Sequence, residues 1–292
     1  MGFIFCYRLP AETLEVRYDK LSCAVVQVRF DGGSGTAFFV NSSGRLASVA
    51  HVLYDRKYRI VNGQIVAEVM PRTGLSIDFP KGTTTKLMTS AATIEDNRRA
   101  LFDLAMIETG LATPCFIPFG NSNATKVGQH LISIGFPAGF TSQVLYEGFL
   151  SARTARLPLP FGTIEGRPDL AFTPHYEIFR IQMPITPGAS GSPVITDANM
   201  VVGLISEVPV IMTKDVQKIA ETFGELKNVS SGISFSGFDV TKTLGELAWM
   251  VSQFESPGSG LAVPVSNLNL PPSATPVTSI PRKPRIFFPK SQ

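Results

Sequence analysis

The 292-residue sequence is short of the side chains that metal centres and covalent frameworks require. It holds three cysteines (Cys6, Cys23 and Cys115) and three histidines. An odd set of cysteines with no close pairs indicates neither a disulfide-dense secreted domain nor a zinc set. The expectation is free thiols in a reducing compartment, hence a cytoplasmic protein, with no metal and no organic cofactor. Long apolar runs are also missing, and no stretch approaches the ~20 residues of a membrane-spanning helix. The N-terminal Met1-Gly2-Phe3-Ile4-Phe5-Cys6 lacks the charged and apolar regions of a signal peptide. Gly2 would suit myristoylation, but Cys6 stands where Ser or Thr is required.

Charge is sparse too, at 17% of residues, and the net value of +3 is unevenly placed. Arg282, Lys283, Arg285 and Lys290 outweigh Glu255 from position 255 onward, which leaves residues 1–254 neutral. A neutral body has no electrostatic footprint for a phosphate backbone, so nucleic acid is not an expected partner.

What the chain does have is 25 glycines, 22 prolines and 44% hydrophobic residues. That balance suits many short strands joined by turns. Residues 1–20 read as a lead-in segment. Ser22–Phe30, Gly35–Val40, Leu46–Ala50, Tyr58–Ile60, Ile65–Met70, Lys86–Ala92 and Leu104–Glu108 read as strands of a first barrel, about 21–118. Asp31-Gly32-Gly33 and Asn41-Ser42-Ser43-Gly44 supply turns between the first three. A second series, about 128–238, comprises His130–Gly135, Val144–Ala152, Glu177–Gln182, Pro193–Thr196, Val201–Ser206 and Gly232–Phe235. Val216–Leu226 has helical spacing inside it. Thr241–Phe254 reads as a helix with Leu244, Leu247, Ala248 and Val251 on one face. From residue 255 prolines recur among Ser, Thr and Asn, and the expectation is a disordered tail to residue 292. Its basic, aromatic end (Pro281–Lys290) is a candidate docking peptide for a protein partner.

Three short motifs carry chemistry. Gly188-Ala189-Ser190-Gly191-Ser192-Pro193 places a serine on a glycine-bracketed turn, where backbone N–H groups can face a developing oxyanion. Ser48-Val49-Ala50-His51 ends an apolar strand on a histidine able to act as base. Phe102-Asp103-Leu104 opens an apolar strand on an acid that needs a partner if buried. The order His, Asp, Ser matches peptidases of chymotrypsin type, and differs from α/β-hydrolases and subtilisins.

With these motifs in place the chain resembles the trypsin-like (chymotrypsin-fold) serine peptidases, and particularly their HtrA/Deg-like branch without a PDZ domain. The resemblance runs in register through Gly33-Ser34-Gly35-Thr36-Ala37-Phe38, Ser48–His51, Asp103-Leu104-Ala105, Ile132–Gly139, Gly148–Ser151, Gly188–Pro193 and Val202–Ser206. It implies an all-β fold of two antiparallel six-stranded β-barrels within residues 21–254, and a serine endopeptidase acting on polypeptides. By the same resemblance His51, Asp103 and Ser190 form the triad, and the N–H groups of Gly188 and Ser190 form the oxyanion hole. The Ser206-Glu207-Val208 edge pairs with substrate by strand addition. The sequence departs from the family pattern at Ala37, Ala189 and Ser192. Pro184, with Ile185 beside it, takes the pocket-base position and implies a small or apolar P1 side chain. The alternatives are an inactive binding protein of this fold or an esterase using the same triad.

Overall fold

The structure, a computed structural model, describes residues 12–62, 64–80, 82–87, 93–137, 140–154, 162–164, 167–172, 177–207, 234–235, 238–243, 259–269 and 277–279. The chain enters through helix α1 (Leu14–Leu21), capped by the Thr13 hydroxyl accepting from the Val16 N–H. Strands β1 (Val25–Phe30) and β2 (Gly33–Phe39) form a hairpin over the Asp31-Gly32 turn, with Phe30 opposite Gly33. After β3 (Arg45–Val49) a single turn of helix, α2 (Ala50–Leu53), leads into the hairpin of β4 (Tyr54–Val61) and β5 (Gln64–Pro71). Strands β6 (Ser76–Asp78) and β7 (Thr84–Lys86) follow, then α3 (Ile94–Ala100) and β8 (Leu104–Glu108). Thr93 and Asp96 build a reciprocal capping box that fixes where α3 begins.

The second half supplies β9 (His130–Gly135), β10 (Val144–Thr154), β11 (Gly162–Ile164), β12 (Arg167–Phe172), β13 (Ile178–Gln182), β14 (Pro193–Thr196) and β15 (Val201–Glu207). The short β16 (Ser234–Phe235) and β17 (Phe238–Asp239), then β18 (Gly260–Pro264) and β19 (Val277–Ser279), complete the set. Six of these close an antiparallel barrel in the order β10-β13-β18-β15-β14-β9. Among the described residues the first half hydrogen-bonds as a six-stranded sheet in the order β7-β6-β1-β2-β3-β8, with no closing pair between β7 and β8. The β4–β5 hairpin leaves that sheet and joins β11, β12 and β19.

The protein is thus mostly β, as its turns and strand spacing imply, and chymotrypsin-like, as the family resemblance implies. Three placements differ from the sequence expectation. The sixth barrel strand is β18, within the stretch read as a disordered tail, because Leu261-Ala262-Val263 is an apolar run short enough to be hidden among prolines. Residues 234–235, expected in the barrel, pair with β17 in a separate two-stranded sheet. Val277–Ser279, also expected in the tail, adds to β12. The helical spacing at 216–226, the end of the basic tail and all but residues 241–243 of the expected 241–254 helix lie outside the described residues.

One apolar cluster spans both halves, from Phe38, Phe39 and Leu46 through Leu104 to Ile132, Ile195 and Leu204. A second fills the barrel around Leu131, Leu150, Phe179 and Val194. Shared burial of this kind sets the sheet and the barrel against one another and fixes the cleft between them. Arg17 of α1 reinforces the arrangement: it is buried and donates to the Thr196 carbonyl (2.7 Å) and to Asp197 (2.9 Å), at the β14–β15 turn. A disulfide joins Cys23 to Cys115, with Cα atoms 5.7 Å apart. The expectation of free thiols is therefore corrected for this pair. Their separation of 92 residues conceals the pairing in the sequence, and the fold brings them together by returning the chain to the start of β1 after β8.

Candidate active site

His51 and Asp103 meet because of strand register. β3 and β8 are antiparallel with Val49 opposite Leu104, so the residues just beyond each strand face one another. The Ala50 N–H donates to the Asp103 carbonyl at 3.0 Å, and the His51 N–H donates to Asp103 Oδ1 at 3.1 Å. His51 Nδ1 lies 2.8 Å from Asp103 Oδ2. Asp103 has a left-handed backbone (φ 54°), a conformation an aspartate tolerates better than most side chains, at the turn delivering the chain from α3 to β8.

The Asp103 carboxylate is fully buried, and each oxygen has two donors. Besides the imidazole, Oδ2 accepts from the Ser206 hydroxyl at 2.6 Å. Besides the His51 N–H, Oδ1 accepts from Arg56 Nη1 at 2.7 Å. Burial, the largest influence, would raise this carboxyl. The charges of His51 and Arg56, with hydrogen bonds from His51 and Ser206, outweigh it and hold the group at about 2. Asp103 is therefore an anion through the neutral pH range.

Ser190 reaches the cleft on the loop between β13 and β14, and Thr36 of β2 pins that loop. The Thr36 N–H donates to the Ser190 carbonyl at 2.8 Å, and the Thr36 hydroxyl donates to the Gly188 carbonyl at 3.1 Å. Gly191 has φ 90°, and a Cβ there would collide with the Thr36 carbonyl and the Ser48 hydroxyl. Glycine is what allows the loop to lie against β2. The half-buried Ser190 hydroxyl donates to the Ser206 carbonyl at 3.3 Å. Ser206 thus touches Asp103 through its side chain and Ser190 through its backbone. Among the described residues, neither the Gly188 N–H nor the Ser190 N–H has a backbone acceptor.

The structure thus gathers His51, Asp103, Ser190 and Ser206 around one cleft. Glu207 ends β15, its side chain outside the described atoms, and Val208 lies beyond the described residues. Pro184 is exposed, whereas Ile185 is buried against Gly260 of β18. Two departures from the family pattern have local explanations. Ala189 is buried in the barrel's apolar cluster, where a carboxylate would have no compensation. The Ser192 side chain lies over Gly135, the absent Cβ of which gives it room. Arg56 and the inward-turned Ser206 hydroxyl were not recognised as carboxylate partners from sequence. The only signal for Arg56 is a cation five residues after the histidine. Among the described residues no group of three or more His, Cys, Asp or Glu side chains could hold a metal. A cavity of about 990 Å³ between Phe119, Met106 and Val265 is lined by none of the four cleft residues.

A closed barrel and a six-stranded sheet that share a cleft of this composition define a serine-peptidase fold of the chymotrypsin type. The chain belongs to the trypsin-like peptidase domain family, whose model matches residues 35–204. Among solved structures, the inactive form of the Rv3671c protease of M. tuberculosis is similar over 86% of this chain and 88% of its own, with 14% identity and a TM-score of 0.51. The HtrA-type protease AlgW with tripeptide is similar over 86% of this chain, with 18% identity and a TM-score of 0.49. A serine endoprotease from Yersinia pestis is similar over 89%, with 15% identity and a TM-score of 0.48. This chain spans 59% of the AlgW chain. No curated protein sequence matches it.

Proposed function

We propose that this protein hydrolyses peptide bonds by acyl transfer, with Ser190 as nucleophile, His51 as general base and Asp103 as the group that orients the imidazole. The observation that carries the reading is the 2.8 Å contact between His51 Nδ1 and a fully buried Asp103, with Ser190 in the same cleft. A carboxylate on Nδ1 holds the proton on that nitrogen and leaves Nε2 free to accept one. Rotation of the Ser190 side chain away from the Ser206 carbonyl turns its hydroxyl toward Nε2. Proton transfer to His51 then accompanies attack on the substrate carbonyl. The N–H groups of Gly188 and Ser190, without backbone acceptors among the described residues, suit the oxyanion that forms. The imidazolium returns its proton to the leaving amine, and water repeats the sequence on the acyl-enzyme.

Substrate is a polypeptide in extended form, lying along the Ser206-Glu207-Val208 edge, beyond Ile205, whose backbone still bonds that of Gly191 and Ser192. Ile185 against Gly260 supports a small or apolar P1 side chain. The test compares turnover of a peptide library with that of simple acyl esters by wild type and Ser190→Ala. Peptide cleavage should fall by roughly 10³-fold or more in the variant. Turnover of esters with no peptide cleavage by wild type would favour the esterase reading.

A further inference from the structure

One permanent charge beside the triad takes no part in the acyl-transfer steps. Arg56, on β4, donates from Nη1 to Asp103 Oδ1 at 2.7 Å. Its side chain is 17% exposed and the carboxylate 0%, so the pair is shielded from water and salt. The same short segment therefore carries His51 and the counter-charge of the acid that His51 faces. Its ring neighbour Tyr58 lies 5.9 Å away on the same strand.

A buried carboxylate does two separable things to an imidazole. It fixes the tautomer and orientation through the hydrogen bond, and its charge strengthens the ring's hold on a second proton. A base must be neutral to take the proton of Ser190, so the second effect opposes the first in the resting enzyme. A guanidinium on the far oxygen leaves Oδ2 bound to Nδ1 but cancels much of the carboxylate's field at the ring. We infer that Arg56 is a positioning residue that pins Asp103 and, by offsetting its charge, sets where the acid limb of the pH–rate profile falls. The catalytic consequence rests on the triad reading above.

Other charged groups near His51 are accounted for. Arg72 donates from Nε to the His51 carbonyl at 3.1 Å and pairs with Asp55 at 3.0 Å. On α3, Asp96 and Arg99 act on Tyr54. Ser206 of β15 and Ser190 bring hydroxyls without charge. Among the described residues, Arg56 is thus the Lys or Arg side chain that contacts the Asp103 carboxylate directly.

The experiment follows the His51 ring resonances by NMR, and kcat/KM for a peptide substrate, against pH. It uses wild type, Arg56→Gln, Arg56→Met and Arg56→Lys, with circular dichroism and the His130 resonances as checks of fold. In the two neutral variants the His51 midpoint and the acid limb of kcat/KM should both move up by about 1 pH unit. Arg56→Lys keeps the charge and should retain most of the wild-type profile. Folded neutral variants with unmoved midpoints would overturn the inference, as would a lysine variant shifted as far as the neutral ones. A His51 midpoint that moves in a chain with no peptide turnover supports the Arg56 coupling and removes the hydrolytic reading, so the two failures are distinct.

Discussion

The Ser206 hydroxyl donates to Asp103 Oδ2 at 2.6 Å, so a strand of the barrel grips the acid that the first sheet presents to His51. This bond crosses the cleft and ties the orientation of Asp103 to the packing of the two halves. Ser206→Ala removes one of the four donors on a buried carboxylate, which costs about 1–2 kcal/mol. The expected outcome is a fall in kcat/KM of roughly 10-fold with KM little changed, read from peptide kinetics. A variant as active as wild type would show that the contact does not align Asp103.

Gly135 and Ser192 form a second matched pair. A Cβ at Gly135 would strike the Ser192 hydroxyl, which is buried without a hydrogen-bond partner among the described residues. Ser192→Gly alone should leave stability within about 1 kcal/mol of wild type, because removing an unsatisfied hydroxyl offsets the lost packing. Gly135→Ala should lower the unfolding midpoint clearly, and Ser192→Gly should restore part of the loss in the double variant. Independent, additive effects in that cycle would contradict direct contact.

Asp103 and His130, both among the described residues, contribute to the pH dependence of stability with opposite sign. Asp103 is depressed to about 2 in the folded chain, so its contribution is complete above the ordinary value of 3.8 and disappears as pH falls toward 2. That contribution is roughly 2 kcal/mol, and the acid slope should flatten in Asp103→Asn. His130 runs the other way. Partial burial lowers it, but hydrogen bonds to Asp197 (2.7 Å) and Glu147 (2.8 Å) raise it overall. Its contribution is complete below the ordinary value of 6.5 and is lost as pH rises through the higher folded value. His130→Gln should abolish a drop of about 1–3 °C in Tm between pH 6 and pH 8.

The Cys23–Cys115 bridge closes a long loop, and removing it should cost about 3 kcal/mol. Thiol titration of the denatured, unreduced chain should find one free cysteine of the three. Reductant should lower Tm by about 6–10 °C. Three titratable thiols in the untreated protein would refute the pairing.

Much of this architecture was legible because strands announce themselves locally. Val25-Val26 with Val28, Leu46–Val49 and Leu131–Ile134 are apolar or alternating runs between turn residues, and all became strands. The nearness of His51 and Asp103 was legible for the same reason, since each abuts an apolar run that forms a strand. Elements fixed by distant partners were not. Helix α1 has mixed polarity, and a buried Arg17 that binds a turn 180 residues away holds it in place. Strand β18 has five residues ending in proline and gains its meaning only as the closing strand between β13 and β15. The disulfide and the Arg56–Asp103 pair share that cause, since neither spacing nor residue type marks a contact made by tertiary packing.

Central to the whole account is that Ser190 is an activated nucleophile. A fluorophosphonate phosphonylates a serine oxygen only where a neighbouring base takes its proton, which makes intact-mass analysis with peptide mapping the most direct measurement. Wild type should gain a single adduct located on Ser190, absent in Ser190→Ala and His51→Ala and retained in Ser192→Ala. A folded wild-type protein that stays unmodified, or an adduct that persists in Ser190→Ala, would contradict it.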